Sequence, residues 1–547
     1  MNIDFKKTSV WIPLMVAVAF AGGILLGAKF FSIDISEGQN KLGTVLHYIE
    51  NEYVDKVSTD SLIEKTIPDI LSKLDPHSAY IPASELQSVN EELDGSFCGI
   101  GIQFNTLNDT ITVVEVISGG PSEKVGIMAG DRIVEINDTV VNTKEWTDNN
   151  IISRLRGPRD TKVKLGVLRA TSPKMLEFEV TRGDIPVASV ESSYMLNPTT
   201  GFIRVSKFGR TTFEEFLNAL VDLRSRGAQD YVIDLRGNTG GYMEIAILMA
   251  NEFLPAGKLI VSTHGRDGRA ESMAFSDGNG AFADSRVAVL IDEYSASASE
   301  IFAGAMQDND RGTILGRRSF GKGLVQKQIS LPDSSALRLT TARYYTPSGR
   351  CIQKTYTPGN IDSYGMEIAE RYSHGEGFSA DSAHIDKSVV YHTAGGREVY
   401  GGGGIMPDIF VPNDTSGISS YYINVLNAGM LQRFAFRFAD INRGKLSEAT
   451  TVDEVESLLP NDDQLLSDFV AFAKKEGGIA PRWYYINLSR DLIVSQLKAL
   501  IARDVLGTSA FYEVINRQDK AVERALEELK NGEPTLNKQA SDTITVR

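Results

Sequence analysis

The feature that most constrains this chain is an alternation of apolar runs and helical stretches that begins near residue 186. Residues 231–235 (Tyr-Val-Ile-Asp-Leu) read as a buried strand, and residues 242–254 as a helix. A second strand at 286–291 is followed by a second helix at 300–307. Strand alternating with helix is the signature of a layered α/β core, because each helix must lay its apolar stripe on a sheet. Both junctions are tight turns, Gly237-Asn-Thr-Gly-Gly241 and Tyr294-Ser-Ala-Ser-Ala-Ser-Glu300. Helices that start from such turns present free main-chain N–H groups, which favour negative charge.

This core occupies only part of 547 residues, a length that at about 150 residues per domain allows three to four domains. Residues 41–75 carry apolar groups at helical spacing (Leu42, Val45, Leu46, Ile49, then Leu62, Ile63, Ile67, Ile70, Leu71) and predict two or three amphipathic helices ending at Asp75-Pro76. From about Gly95 the pattern changes to short β-like runs punctuated by glycine turns. Residues 354–404 are polar and irregular, and 354–400 reads as an insertion or long loop. Beyond Asn413 amphipathic helices return, and a polar tail ends the chain. Lys6 and Lys7 precede an apolar run at 10–28 whose 19 residues, as a helix, would span about 28 Å, close to a bilayer core. The run passes straight into Lys29, Phe30 and Phe31 without an A-x-A site, which favours a retained anchor over a cleaved signal. Either way the bulk of the chain is expected outside the cytoplasm, anchored at the membrane or exported as a soluble form.

Composition narrows the function classes. The chain is 42% hydrophobic and carries 56 basic against 71 acidic residues, a net charge of −15 that argues against nucleic acid as a partner. Two cysteines, Cys98 and Cys351, make no disulfide framework, although one bridge between them stays open. Six histidines include no HExxH pair, so neither a metal nor a cofactor is expected.

The run from Gly99 to Arg169 resembles a PDZ domain. The matching pieces are Gly99-Ile100-Gly101-Ile102, the segment 114–121 and Ala129-Gly-Asp-Arg-Ile133 with Ile136-Asn137. The resemblance implies that Gly99, Ile100, Gly101 and Ile102 form the loop that takes a peptide's C-terminal carboxylate. Ile100 and Ile102 would shape the pocket for the last side chain, and the next strand would pair with the peptide.

Three readings compete for the chemistry. The turn at 237–241 superficially resembles the Gly-x-Ser-Gly-Gly of trypsin-like proteases, but Thr239 stands where the serine should be and His77 sits in an Asp-Pro-His-Ser turn. A phosphate loop lacks its lysine and serine. Ser297 with Glu300 could be a mere helix-capping box, worth about 1 kcal/mol. Against that, Lys322 lies between glycines among Phe320, Leu324 and Val325, an odd setting for a solvated lysine. If the segment is extended, Lys322, Leu324 and Gln326 share one face.

Taken together, 234–241, 295–305, 320–326, 339–350 and 404–408 resemble, in order, the C-terminal processing (tail-specific) serine proteases, the likeness running from about 40 to 412. It implies Ser297 as nucleophile, Lys322 as general base, Gln326 orienting the lysine, and an oxyanion hole from Ala298 with Gly240 or Gly241. A lysine at its ordinary pKa of about 10.4 is protonated at neutral pH, so burial must pull it down, a differential solvation of about 4 kcal/mol. Thr239 departs from the proline of many relatives.

The expected architecture is therefore α/β and multidomain, a PDZ β-barrel-like module before an α/β serine protease core, flanked by helical N- and C-terminal regions. Its parts are a cytoplasmic stub with anchor or signal (1–31), a helical segment (32–90), the PDZ (91–185), the Ser-Lys core (186–412) and a helical region (413–547). The expected activity is serine endopeptidase cleavage of protein or peptide substrates with free C-termini; the alternative is a catalytically silent scaffold that only binds tails. The membrane is a partner through the N-terminal segment, and the C-terminal helices are open to self-association or to an adaptor.

Overall fold

The computed structural model describes residues 17–18, 37–107, 110–117, 119–142, 145–169, 172–266 and 272–531. The apolar run at 10–28 lies outside these except for 17–18, and no described helix is long and apolar enough to cross a membrane. The chain forms two units, divided after Leu71. The first holds helix Glu37–Glu52 and most of Thr59–Ser72, as the helical spacing predicts. Leu42, Val45 and Tyr48 of its first helix are exposed.

In the second unit, the PDZ-like module is an antiparallel sheet of Ile102–Leu107, Thr110–Val116, Arg132–Ile136, Lys162–Leu168 and Leu176–Thr181. Val163, Leu165 and Val167 alternate inward, as strand geometry requires, and meet Ile151 and Leu155 of helix Asp148–Leu155. The chain enters and leaves the module through one antiparallel ribbon, Ser96–Gly99 against Gly183–Pro186.

The α/β core is a six-stranded sheet in the order Val190–Asn197, Thr200–Val205, Asp230–Asp234, Arg286–Ile291, Thr313–Gly316 and Ile409–Phe410. The first pair is antiparallel and the rest are parallel. The continuous apolar runs in its central strands follow from burial on both faces. Tyr231, Ile233, Val287, Val289 and Ile291 face helices Thr212–Ser225, Met243–Asn251 and Ala298–Asp308. Val232, Ala288 and Leu290 face the opposite way, onto Ala521, Val522, Ala525 and Leu529 of the last helix, Lys520–Lys530.

The C-terminal region is helical, as its periodicity predicts, and packs around the buried helix Arg490–Leu506. Its end serves the protease sheet of the same chain. Besides the last helix, Thr508–Ile515 lies along the edge strand Val190–Asn197, with Tyr512 Oη donating to Glu191 at 3.0 Å and Asn516 to Tyr194 Oη at 2.8 Å.

A second sheet joins Ala79–Ile81, Leu324–Ser330, Ala336–Tyr345, Leu259–Gly265 and Ser272–Phe275, all antiparallel. Residues 354–400, expected as an irregular insertion, contain helix Ile361–Ser373 and the hairpin Val390–His392 with Glu398–Tyr400. Its polarity misleads because Lys354 and Arg371 are buried with partners, against Glu367 at 2.9 and 2.6 Å. Cys98 and Cys351 are free thiols, so no bridge joins them.

Phe302 shows how tightly the helix after the serine turn is seated. Its ring is fully buried and meets Phe253 edge-on at 6.3 Å. Phe302→Ala is expected to destabilise the protein by about 3–5 kcal/mol. The measurement is urea unfolding, where the midpoint should fall at unchanged slope.

Candidate active site

The two turns singled out in the sequence follow the ends of adjacent parallel strands, Asp230–Asp234 and Arg286–Ile291, where open α/β sheets form their crevices. Asn238 stitches them together. Its carbonyl accepts from Ala296 N–H at 3.0 Å and from Ser299 Oγ at 2.8 Å, while its side-chain amide donates to the Val205 carbonyl at 2.9 Å. Gly240 has φ +106°, and a Cβ built on it would lie 2.7 Å from Ser297 Cβ and 3.0 Å from the Ala298 nitrogen. Only glycine lets the first turn close on the second.

Ser297 itself has φ 56° and ψ −112°, a left-handed conformation that a non-glycine residue adopts at a cost of about 1–3 kcal/mol. The surrounding bonds over-determine it. Its N–H donates to Glu300 at 2.9 Å, and the Glu300 N–H returns to the Ser297 carbonyl, also at 2.9 Å, leaving the serine hydroxyl outside the exchange. The capping reading therefore describes the main chain and not the hydroxyl.

Lys322 is brought to Ser297 by two groups that bind both main chains. The Glu300 carboxylate accepts from the Lys322 N–H at 2.9 Å as well as from Ser297. The Tyr344 hydroxyl lies 3.1 Å from the Ser297 carbonyl and 2.7 Å from that of Lys322. Burial pulls the Lys322 pKa down, the Arg338 cation adds to this, and Glu300 and Asp75 oppose it.

Lys322 Nζ is 3.2 Å from Gln326 Oε1, although the register shifts between Val325 and Gln326. The Gln326 amide N–H₂ donates to the His77 carbonyl at 2.5 Å, which leaves its oxygen for the lysine. His77 thus sits at the site through its main chain. Its ring meets Tyr364 Oη at 2.8 Å, and burial, then Lys322, lower its pKa to about 4, so it is neutral at pH 7.

Of the expected oxyanion donors, Ala298 opens the helix after Ser297, Gly240 packs against Ser297, and Gly241 is the next residue of that turn. The Gly240 N–H is occupied by Asn238 Oδ1 at 2.8 Å, which favours Gly241 of the pair. Phe320, one of the apolar neighbours of Lys322 in the sequence, also carries the Lys354 ammonium 3.9 Å from its ring centre. The sequence marks Glu300 only as a cap and gives no signal for Tyr344 or Arg338, and the Asp75–Ser78 turn figures in it only as the setting of His77. Tyr344 lay inside the recognised 339–350 motif, but nothing local marked its hydroxyl.

In the PDZ-like module, Gly99, Ile100, Gly101 and Ile102 line one end of a groove of about 370 Å³ between strand Ile102–Leu107 and helix Asp148–Leu155. Ile100 is 3% exposed, part of the module's core as well as of the groove wall. Arg156, not singled out in the sequence, lies at the same end, its guanidinium 4.1 Å from the Phe97 ring centre.

Comparison with known proteins identifies the family. The pattern of Peptidase family S41 matches residues 199–362, and that of the PDZ domain residues 98–193. The carboxy-terminal-processing protease of Bartonella bacilliformis is 37% identical over 351 residues, 61% of this chain and 80% of that protein. The chain belongs to the carboxy-terminal-processing protease family. The carboxy-terminal processing protease CtpA of Bacillus subtilis is 34% identical over 331 residues, 60% of this chain and 70% of its own length. A solved photosystem II D1 C-terminal processing protease aligns at 26% identity and a TM-score of 0.32, covering 58% of this chain and 91% of its own. Residues 421–507, within the helical C-terminal region, match a family of unknown function. The protein is thus a serine-type peptidase with a PDZ domain, and the silent-scaffold alternative falls.

The contact between Gly240 and Ser297 gives a direct check. Gly240→Ala is expected to lower kcat on a peptide substrate by about 100-fold or more by displacing Ser297. Steady-state kinetics on the folded variant would read it.

Proposed function

We propose that the protein binds the free C-terminus of a protein substrate in its PDZ groove and cuts the same chain upstream with a Ser297–Lys322 dyad. The observation that carries this reading is the convergence of Ser297 and Lys322 on Glu300 and Tyr344, with the lysine pKa lowered by burial. A buried lysine with a neutral amide partner has the properties of a base, and a strained serine at a helix start those of a nucleophile.

Neutral Lys322 Nζ takes the proton from Ser297 Oγ as the oxygen attacks the scissile carbonyl carbon. The carbonyl oxygen becomes an oxyanion held by the N–H groups of Ala298 and Gly241, where the fixed dipoles need no reorganisation. The Lys322 ammonium then hands its proton to the leaving amine as the C–N bond breaks. Water attacks the acyl carbon and gives one proton to Lys322, which passes it to Ser297 Oγ as the ester C–O bond breaks; the acid product ionises to the carboxylate, its proton going to solvent. Gln326 fixes the lysine without adding charge, and Gly99–Ile102 would receive the substrate carboxylate beside the Arg156 cation. The apolar run at 10–28 supports action outside the cytoplasm, anchored or exported.

Ser297→Ala and Lys322→Arg should each abolish cleavage in a folded protein, the latter because a guanidinium stays protonated. Activity should rise with pH as Lys322 loses its proton, along a limb below the ordinary lysine pKa. Gln326→Glu places an anion beside the ammonium, raises that pKa and should move the limb to more alkaline pH. Cleavage by Ser297→Ala, or an unshifted limb in Gln326→Glu, counts against the dyad.

Tail recognition is checked separately by mass spectrometry of fragments from peptides with free and amidated C-termini. The free-tail peptide should be cut at least about tenfold faster at low concentration, since amidation removes a charge-assisted hydrogen-bond set. Equal rates would refute tail capture.

A further inference from the structure

The C-terminal helical region reaches the catalytic turn through one carboxylate. Asp519 Oδ1 caps the last helix, accepting from Ala521 N–H at 2.8 Å and Val522 N–H at 3.2 Å. Its other oxygen, Oδ2, accepts from Arg236 at 2.7 Å. Arg236 is the residue before Gly237, and so belongs to the same turn as Gly240 and Gly241. Its guanidinium also grips Asp234 in a two-point bond at 2.9 and 2.8 Å. The Arg236 carbonyl accepts from Arg204 at 3.1 Å, and Gly237 N–H donates to Asp292 at 2.9 Å.

The turn is therefore anchored from its own strand by Asp234 and from the far end of the sequence by Asp519. The helix that carries Asp519 is itself seated, with Ala521, Val522, Ala525 and Leu529 against the back of the sheet. Arg236 and Asp519 have side chains only 19% and 18% exposed, so the pair is only weakly screened by solvent. A two-point grip from Asp234 alone fixes the guanidinium plane but leaves its far amino group without an anion. Asp519 supplies that anion and ties the turn's position to the sheet's back face.

We propose that Asp519 is a positioning residue for the peptidase reaction: through Arg236 it holds the 237–241 turn, and hence the oxyanion-binding N–H of Gly241, in register with Ser297. This rests on the Ser297–Lys322 reading and assigns to the helical C-terminal region a part in catalysis. The same carboxylate serves cap and ion pair through separate oxygens, so the two duties can be separated by substitution. Asp519→Asn keeps an oxygen for the cap but turns an N–H₂ donor toward Arg236. Asp519→Ser keeps a capping hydroxyl and withdraws from Arg236 altogether.

The test uses the full chain with a cleavable tail peptide. Asp519→Asn and Asp519→Ser should each lower kcat by about tenfold, with KM within about twofold, since the turn contributes to the transition state rather than to tail capture. Thr451→Ala, which removes the cap of helix Val452–Leu458 in the same region, is the control for general loosening and should keep wild-type kcat. If both Asp519 variants keep wild-type kcat, or if Thr451→Ala loses as much, the positioning role is overturned. If one Asp519 variant fails to fold, the other decides. Ser297→Ala run in parallel separates the two ideas: cleavage surviving in it sinks the dyad itself, whereas a dead Ser297→Ala with fully active Asp519 variants sinks only the positioning role.

Discussion

The carboxylate of Glu300 is fully buried and accepts four hydrogen bonds, from the N–H groups of Ser297, Gly321 and Lys322 and from Ser319 Oγ, at 2.5 to 2.9 Å. Burial raises its pKa above the ordinary carboxylate value, outweighing these bonds, each of which pulls the other way. Three of the four donors are amides that cannot accept a proton from it, and the Ser319 oxygen already receives the Ile405 N–H at 2.6 Å. The network therefore suits the anion. A buried charge is tolerated only when its lone pairs are filled, so the serine turn and the segment at 319–322 must both stay in place around it. Their coupling follows from that demand. Glu300 approaches Lys322 through its main chain, which ties the strand down, and Arg338 opposes the field that would keep the lysine charged.

The sheet beneath makes this arrangement affordable in backbone terms. Adjacent parallel strands end side by side, and Asn238 bridges the turns that follow them through its carbonyl while its side chain holds Val205 and Gly240. Gly241 pairs with Phe208 in an isolated parallel bridge, and Tyr242 N–H donates to the Phe208 carbonyl at 2.8 Å. The glycine turn is thus held from the Thr200–Val205 side as well. With both faces of the sheet covered, movement of either turn would disturb a close-packed core.

Continuous apolar runs for the central strands, with helical spacing between them, were enough to read the core sheet and its helices, and the PDZ-like module was legible through its glycine motifs and the family resemblance. The candidate serine, lysine and glutamine were legible through their unusual neighbours and the family resemblance. What escaped were partnerships across the chain. Glu300 reads locally as a cap, and it does bind Ser297 N–H; its bonds to 319–322 depend on a strand that only the fold brings near. Tyr344 looked like one aromatic among several. The segment 354–400 read as a loop because its buried Lys354 and Arg371 look like solvated charges until Glu367 is seen between them. Polarity in a sequence reports what a side chain needs, and not whether water or protein supplies it.

That segment also bears on the lysine. Arg371 donates to the carbonyls of Ser319 and Phe320 at 2.8 and 3.0 Å, and Arg318 is paired with Glu376. Tyr364 packs edge-on against both Phe320 and His77, and the His77 carbonyl holds Gln326. The segment bearing Lys322, just before strand Leu324–Ser330, is accordingly held by helix Ile361–Ser373 and by Glu300 and Tyr344. Desolvation lowers a lysine's pKa only while the side chain cannot relax into water, and four carbon–carbon bonds give a free lysine every means of doing so. Holding the main chain at both ends and the ammonium at Gln326 closes those routes, so that burial acts on the proton affinity rather than being relieved by motion.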